Sequence, residues 1–156
     1  MRIGVVADTH GYLNPRVVGV LRGVSHILVA GDICSAEVMK GLEGIAPVTA
    51  VRGNNDRVGP TSRLAEEVEV ALGGKRVLVR HEVSLSKKGE EAPAEFRGRG
   101  LDVVVFGHSH YALVQYRDGI LFFNPGAAGK RRFNTVPSVG VLEVVGGEVR
   151  AEVVVL

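Results

Sequence analysis

Apolar residues come in short runs from one end of the chain to the other, at positions 2–7, 26–30, 48–52, 68–72, 76–80, 102–106, 112–116, 120–123, 139–145 and 149–155. Each run has the length of a β-strand and is bounded by Gly, Asn, Asp or Pro, residues that favour turns over extended chain. The early runs IGVVA, ILVA and VVVF are apolar without interruption, as strands covered on both faces would be. ALVQY, VGVLEVV and VRAEVVV mix polar with apolar positions. They are joined by turns such as Arg117-Asp118-Gly119 and Gly146-Gly147, which predicts antiparallel sheet with one wetter face.

Helical signals fall between the early strands. Asn14-Pro15 offers a cap and a proline at the first helical position, and RVVGVLRG carries apolar residues at helical spacing as far as Gly23. Ser35 can cap AEVMKGLEG, which ends near Gly44. The segment SLSKKGEEAPAEFRGRG is charged and contains Gly and Pro, and it predicts a short exposed helix between loops. The order is therefore β-α-β-α-β, a hairpin, one more helix and a run of antiparallel strands. Ten strands with few helices predict an α/β fold of two mixed sheets packed face to face, with helices on the outer sides.

The 156 residues suffice for one hydrophobic core and are too few for two ordinary ones, so a single domain over 1–156 is expected. A net charge of +2, with Lys and Arg scattered along the chain, argues against a nucleic-acid or anionic-membrane protein. With aromatic residues at 5%, there is also little material for a base-stacking platform. No apolar stretch approaches membrane-spanning length, and the run at 3–7, broken by Asp8, is too short for a signal-peptide core. The single cysteine, Cys34, rules out an internal disulfide, suits a reducing cytoplasm, and is expected to be a small apolar filler. Edge strands and the apolar C-terminal run leave room for a homodimer.

Four of the five histidines follow a predicted strand directly, in ADTH at 7–10, RH at 80–81 and GHSH at 107–110. Asp32 in AGD and Asn54 in RGNND occupy equivalent places after the second and third strands. Ligands of open α/β sheets bind beyond the carboxyl ends of strands, so five loops are predicted to converge on one edge of one sheet. Asp8 and His10, two apart on an extended chain, would face the same way as a chelating pair, and His108 and His110 repeat that spacing. Gly31 and Gly53 permit the tight turns that send Asp32 and Asn54 back into the crevice. Two carboxylates and five neutral ligands around two divalent ions leave a formal charge of about +2, which would attract an anionic ester. Mixed His, Asn and Asp ligation without thiolate suits Mn²⁺, the preferred ion here, or Fe²⁺, Zn²⁺, Co²⁺ or Ni²⁺, better than Mg²⁺ or Ca²⁺.

In order and spacing, ADTH, GD, GNND, H, GHSH and NPG resemble the calcineurin-like metallophosphoesterase superfamily. Within it they resemble most the small single-domain prokaryotic phosphodiesterases related to a eukaryotic retromer subunit. The resemblance implies a four-layer αββα sandwich and two divalent metal ions. Asp8, His10 and His110 would hold the first ion; Asn54, His81 and His108 would hold the second; and Asp32 would bridge them. It further implies a phosphodiesterase acting on small-molecule phosphate esters, in which a hydroxide shared by the metals attacks phosphorus, with Asp32, Asn54 and His81 at the reacting centre. Asn124 and Gly126, in the NPG loop, would support the ligands from behind.

Two positions depart from the family pattern. Asn55 stands where many members have a histidine able to protonate the leaving group, and a carboxamide cannot do so near neutral pH. His81-Glu82-Val83 replaces the usual HGH, so Glu82 either faces solvent, or orients a ligand or alters the substrate entrance. Lys130, Arg131 and Arg132 follow the NPG loop, either as an exposed basic loop or as contacts to substrate phosphate. Ser109 has no nucleophilic role in such a site, and His26 lies outside every motif and is expected to be structural. The competing functional class is a protein-binding scaffold of the same fold, with little or no catalysis.

Overall fold

The computed structural model describes residues 1–132 and 134–156. Ten strands form two five-stranded sheets. The first sheet contains β1 (Arg2–Val6), β2 (His26–Ala30), β3 (Val48–Val51), β9 (Ser138–Val145) and β10 (Glu148–Val155), in the order β10-β9-β1-β2-β3. The second contains β4 (Glu67–Leu72), β5 (Lys75–Arg80), β6 (Val103–Val105), β7 (Leu113–Arg117) and β8 (Ile120–Asn124), in the order β4-β5-β6-β8-β7. Both sheets are mixed. β1, β2 and β3 run parallel, as do β5, β6 and β8, while β4, β7, β9 and β10 are attached antiparallel.

Alternation along each strand divides the core into layers. Ile3, Val5 and Ala7 face the other sheet and meet Leu28, Val79, Val105 and Phe123. Val6, Val29 and Val141 face outward onto α1 (Pro15–Val20) and α2 (Ala36–Glu43). The capping signals act as the sequence implies: Asn14 Oδ1 accepts from Arg16 N at 3.0 Å, and Ser35 Oγ accepts from Glu37 N at 3.1 Å.

The outer side of the second sheet differs from expectation. The charged segment after β5 forms no α-helix; it contributes only a 3₁₀ turn, Ala94–Phe96, within a long loop. Gly89, Pro93, Gly98 and Gly100 leave no stretch long enough for a helix to propagate. Nor is the segment simply exposed, since Phe96 is fully buried against Leu78, Val104 and Phe122. The fourth layer is thus a loop anchored chiefly by Phe96, with Ala92 and Leu101 buried beside it. No helix among the described residues is long and apolar enough to cross a membrane.

Candidate metal centre

The carboxyl ends of β1, β2 and β3 and those of β5, β6 and β8 come together at one end of the sandwich. The seven candidate ligands therefore do not line one sheet, as the strand pattern suggested. Asp8, His10, Asp32 and Asn54 come from the first sheet, and His81, His108 and His110 from the second. Two hydrogen bonds cross between the sheets here: His108 N donates to Asp8 Oδ2 at 2.9 Å, and His81 Nδ1 donates to the Ala30 carbonyl at 2.7 Å.

The side chains form two groups. In the first, His10 Nε2 lies 3.1 Å from His110 Nε2, and Asp8 Oδ1 lies 3.5 Å from His110 Nε2 and 3.9 Å from His10 Nε2. In the second, Asn54 Oδ1 lies 2.9 Å from His81 Nε2 and 3.2 Å from His108 Nδ1. Asp32 stands between them, with Oδ2 3.7 Å from His10 Nε2 and Oδ1 3.4 Å from His81 Nε2.

Backbone conformation explains how neighbouring residues can reach one point. Asp8, His10, Asp32, His108 and His110 all have φ between 46° and 72°. The extended geometry expected for Asp8-x-His10 is therefore not what aims the pair; a left-handed turn at each residue does. Asp, Asn and His enter this region more readily than other non-glycine residues, but each still costs on the order of 1 kcal/mol. Five such residues at one point mark a site whose shape is imposed by its surroundings.

Those surroundings include residues that the motif reading passed over. Asp56, the last residue of GNND, is buried and accepts from Ile33 N, Cys34 N and Gly53 N at 3.1, 2.7 and 2.8 Å. It ties the loop after β2 to the loop after β3. Its signal in the sequence was an Asp two residues beyond a ligand, indistinguishable there from an ordinary turn residue. Thr9, also buried, donates to the Ile33 carbonyl at 3.0 Å. Asn55 donates to Asp32 twice, from its backbone N at 2.8 Å and from Nδ2 at 2.7 Å, so it holds the carboxylate in place. At Gly53 there is no room for a Cβ, which would collide with Asp32 Oδ1.

Other predicted residues lie around this core. Asn124 is fully buried; its Nδ2 donates to the Gly107 carbonyl at 2.9 Å, and its Oδ1 accepts from Gly126 N at 2.9 Å, fastening the GHSH loop. Glu82 is exposed, with Oε1 3.7 Å from His108 Nε2, the ring nitrogen turned away from Asn54. Arg131 is exposed on the loop that follows the NPG turn. His26 Nε2 lies 2.8 Å from Thr49 Oγ1, far from the ligands in the fold. Cys34 corrects its expectation: it is exposed, not an apolar filler, because φ of 61° turns its side chain outward while its N–H is taken by Asp56.

The electrostatics fit a cation. Burial pushes the Asp8 carboxyl up to about 7, and its Oδ1 is buried without a hydrogen-bond partner. Asp32 is held below the usual carboxylate range: burial opposes this, but hydrogen bonds involving His81 and Asn55 outweigh it. Burial lowers both His10 and His110, so these rings favour the neutral form that ligates metals. The Ala30 carbonyl can only accept, so the Nδ1 of His81 carries a hydrogen, and Nε2 faces the Asn54 and Asp32 oxygens as a donor when the ring is charged and as a free lone pair when it is neutral. Burial works against a charge on that ring, but the hydrogen bonds with Asp32 and Ala30 prevail and raise it. Imidazole nitrogens, a carboxamide oxygen and carboxylate oxygens gathered this closely, with one buried carboxylate oxygen lacking a partner, form a donor set suited to divalent ions.

A family model for the calcineurin-like phosphoesterase superfamily domain matches residues 1–147. The chain belongs to that superfamily. A probable metallophosphoesterase of Methanothermobacter thermautotrophicus is 34% identical over 99% of this chain and 92% of its own length. Among solved structures, Vps29 of Chaetomium thermophilum superposes with a TM-score of 0.78 at 22% identity, covering 99% of this chain and 97% of that one. An archaeal phosphodiesterase superposes with a TM-score of 0.77 at 23% identity, covering 99% and 100%. The structural likenesses bear out the fold. Membership of the calcineurin-like phosphoesterase superfamily supports a metal-dependent hydrolase of phosphate esters, and it accounts for a donor set that a purely structural histidine cluster would not need.

Proposed function

We propose that the protein is a dinuclear phosphodiesterase. In this reading Asp8, His10 and His110 hold one divalent ion, Asn54, His81 and His108 hold the other, and Asp32 bridges them. The observation that carries it is the position of Asp32, which turns one carboxylate oxygen toward a histidine of each group. Bound ions in such a pair supply a strong nucleophile at neutral pH and Lewis-acid stabilisation of charge developing on phosphate. Mn²⁺ is the preferred occupant on the mixed nitrogen and oxygen donor set. The name of the archaeal phosphodiesterase of like fold supports the choice of diesters.

The chain's own residues do the positioning. Asn55 fixes both Asp32 oxygens, Ala30 fixes the His81 tautomer, and Asn124 fixes the loop carrying His108 and His110. Orientation of this kind supports metal affinity and activity by about 10–100-fold per supporting contact. The test is hydrolysis of bis-p-nitrophenyl phosphate by the full chain with and without Mn²⁺. Turnover that appears with Mn²⁺ and vanishes with chelator is expected; its absence at any metal concentration would favour the scaffold reading, which the likeness to Vps29 suggests.

Asn55 limits the chemistry. Its Nδ2 is occupied by Asp32, and a carboxamide offers no acidic proton, so the departing alkoxide must take its proton from water or another residue. Aryl esters, with stable leaving groups, should turn over far faster than alkyl esters. Asn55→His is expected to raise the rate on an alkyl phosphodiester by about tenfold, less than the roughly 10²–10⁴-fold typical of a general acid because the contact to Asp32 is also altered. Unchanged alkyl rates, alongside unchanged metal binding, would contradict this account of the leaving-group limit.

A further inference from the structure

A cavity of about 460 Å³ opens beside His10, lined by residues 9–12 and by Lys130, Arg131 and Arg132. That volume lies within the span of small-ligand sites. Every charged side chain on its wall is cationic. All three cations are exposed and, among the described residues, none lies within 4 Å of a carboxylate. Three consecutive cations without acidic partners repel one another, a cost that a bound anion would relieve.

The loop that carries them is built into the wall of the metal centre. Ala128 N donates to the Ala7 carbonyl at 2.9 Å and Gly129 N to the Asp8 carbonyl at 3.2 Å, which brings the basic residues onto the turn that aims Asp8 and His10. The approach is close enough that a Cβ on Gly129 would lie 2.6 Å from the Thr9 carbonyl. At the far end, the Arg132 carbonyl accepts from Thr135 N at 3.1 Å and from Thr135 Oγ1 at 2.6 Å. Lys130 Nζ sits 5.3 Å from the centroid of the Tyr12 ring, a cation–π distance that keeps its charge at the cavity wall.

We propose that this cavity is an anion subsite, and that the natural ester carries a second phosphate group in addition to the one at the metal centre. This deepens the phosphodiesterase reading and rests on it. Arginine pairs its N–H groups with two phosphate oxygens, and the summed charge of the three residues suits a dianionic phosphate better than a single carboxylate. The cations of this cavity come from one short loop, which suits one added phosphate rather than the repeated phosphates of a polynucleotide track.

The matched substrates are thymidine 5′-(p-nitrophenyl phosphate) and the same ester bearing a 3′-phosphate. They share the scissile bond and the leaving group, so only the distal phosphate differs. With the Mn²⁺-loaded full chain, kcat/KM is expected to be about tenfold higher for the 3′-phosphorylated ester, mainly through KM. In the triple variant Lys130→Gln, Arg131→Gln, Arg132→Gln that ratio should fall to about one. Equal kcat/KM values in the parent chain, or a ratio that survives the triple variant, would overturn the subsite. If neither ester is hydrolysed, the phosphodiesterase reading fails, and the subsite is then judged by calorimetric titration. Thymidine 3′,5′-bisphosphate binding about tenfold more tightly than thymidine 5′-phosphate, with the difference lost in the triple variant, would uphold it; equal affinities would reject it.

Discussion

Replacing Asp8 by Asn is expected to make the metal-free protein more heat-stable and the metal-loaded protein nearly inactive. Asp8 is fully buried, one of its oxygens has no partner, and burial pushes its carboxyl from 3.8 to about 7. A carboxyl whose folded pKa is raised holds its proton in the folded state while the unfolded chain has already lost it. Stability therefore falls as pH rises from about 4 to about 7, and above that the buried charge costs about 4 kcal/mol. Asn removes the charge, tolerates the left-handed backbone, keeps an acceptor for His108 N and can point its amide at His110. Allowing for burial of the amide, the gain at pH 8 is about 2 kcal/mol, or roughly 4–8 °C in melting temperature.

The same exchange removes an anionic donor from the proposed first ion. Loss of about 4 kcal/mol of transition-state stabilisation corresponds to a drop of about a thousandfold in kcat/KM. Thermal melts of wild type and Asp8→Asn at pH 5 and pH 8, with chelator, separate the two effects. The advantage of Asn should be present at pH 8 and nearly absent at pH 5, where Asp8 is already protonated. An equal shift at both pH values, or a less stable variant at pH 8, would show that the buried charge is not what limits the metal-free fold.

Asp32→Asn should lower Mn²⁺-dependent hydrolysis by about a thousandfold as well, but with a different metal-binding signature. Asn is the informative substitution because it accepts the left-handed φ of 51° and retains an oxygen for Asn55 N, so the local fold persists. Ala would add backbone strain and leave the two Asn55 donors unmet. What Asn cannot do is offer an anionic oxygen to each side. Both ion sites should weaken together in a Mn²⁺ titration, whereas His110→Ala, confined to the first group, should weaken one. A titration of Asp32→Asn that retains one site at parental affinity would remove Asp32 from the bridging role.

Much of the fold could be read from periodicity, because burial on both faces leaves a direct trace in runs such as ILVA and VVVF. The starts of the first two helices were equally legible, since Asn14 and Ser35 act locally through bonds to residues two or three further on, although the first helix ends at Val20, short of Gly23. Strand pairing was not. Nothing in the apolar pattern tells β5 and β6 to join a different sheet from β1, β2 and β3, so ligands that occupy equivalent places in the sequence were assigned to one edge when they come from two. The loop around Phe96 illustrates the same limit: its charged composition predicted exposure, while a few apolar side chains led by Phe96, invisible to a composition average, sink it into the core.

The chemistry was legible where residue type alone decides it and illegible where conformation does. Asp8, His10, Asp32 and the GHSH pair announce themselves by type and spacing. Asp56 does not, because its value lies in three backbone N–H groups drawn from two loops. The five left-handed residues are also beyond a pattern reading, since Asp and His carry no mark of the φ they will adopt.

Because the donor set is shared between the two sheets, bound ions would have a mechanical part in the molecule. Among the described residues, the two layers are otherwise joined by an apolar cluster that includes Val5, Leu28 and Phe123, together with a few polar contacts. Ions gripped from both layers would clasp the sandwich at its open end, so sliding or prying the layers apart would first have to tear the coordination shell. Occupancy and layer docking then become one equilibrium, and a cavity carved at Phe123, buried well inside the sandwich, would be felt as a looser hold on metal.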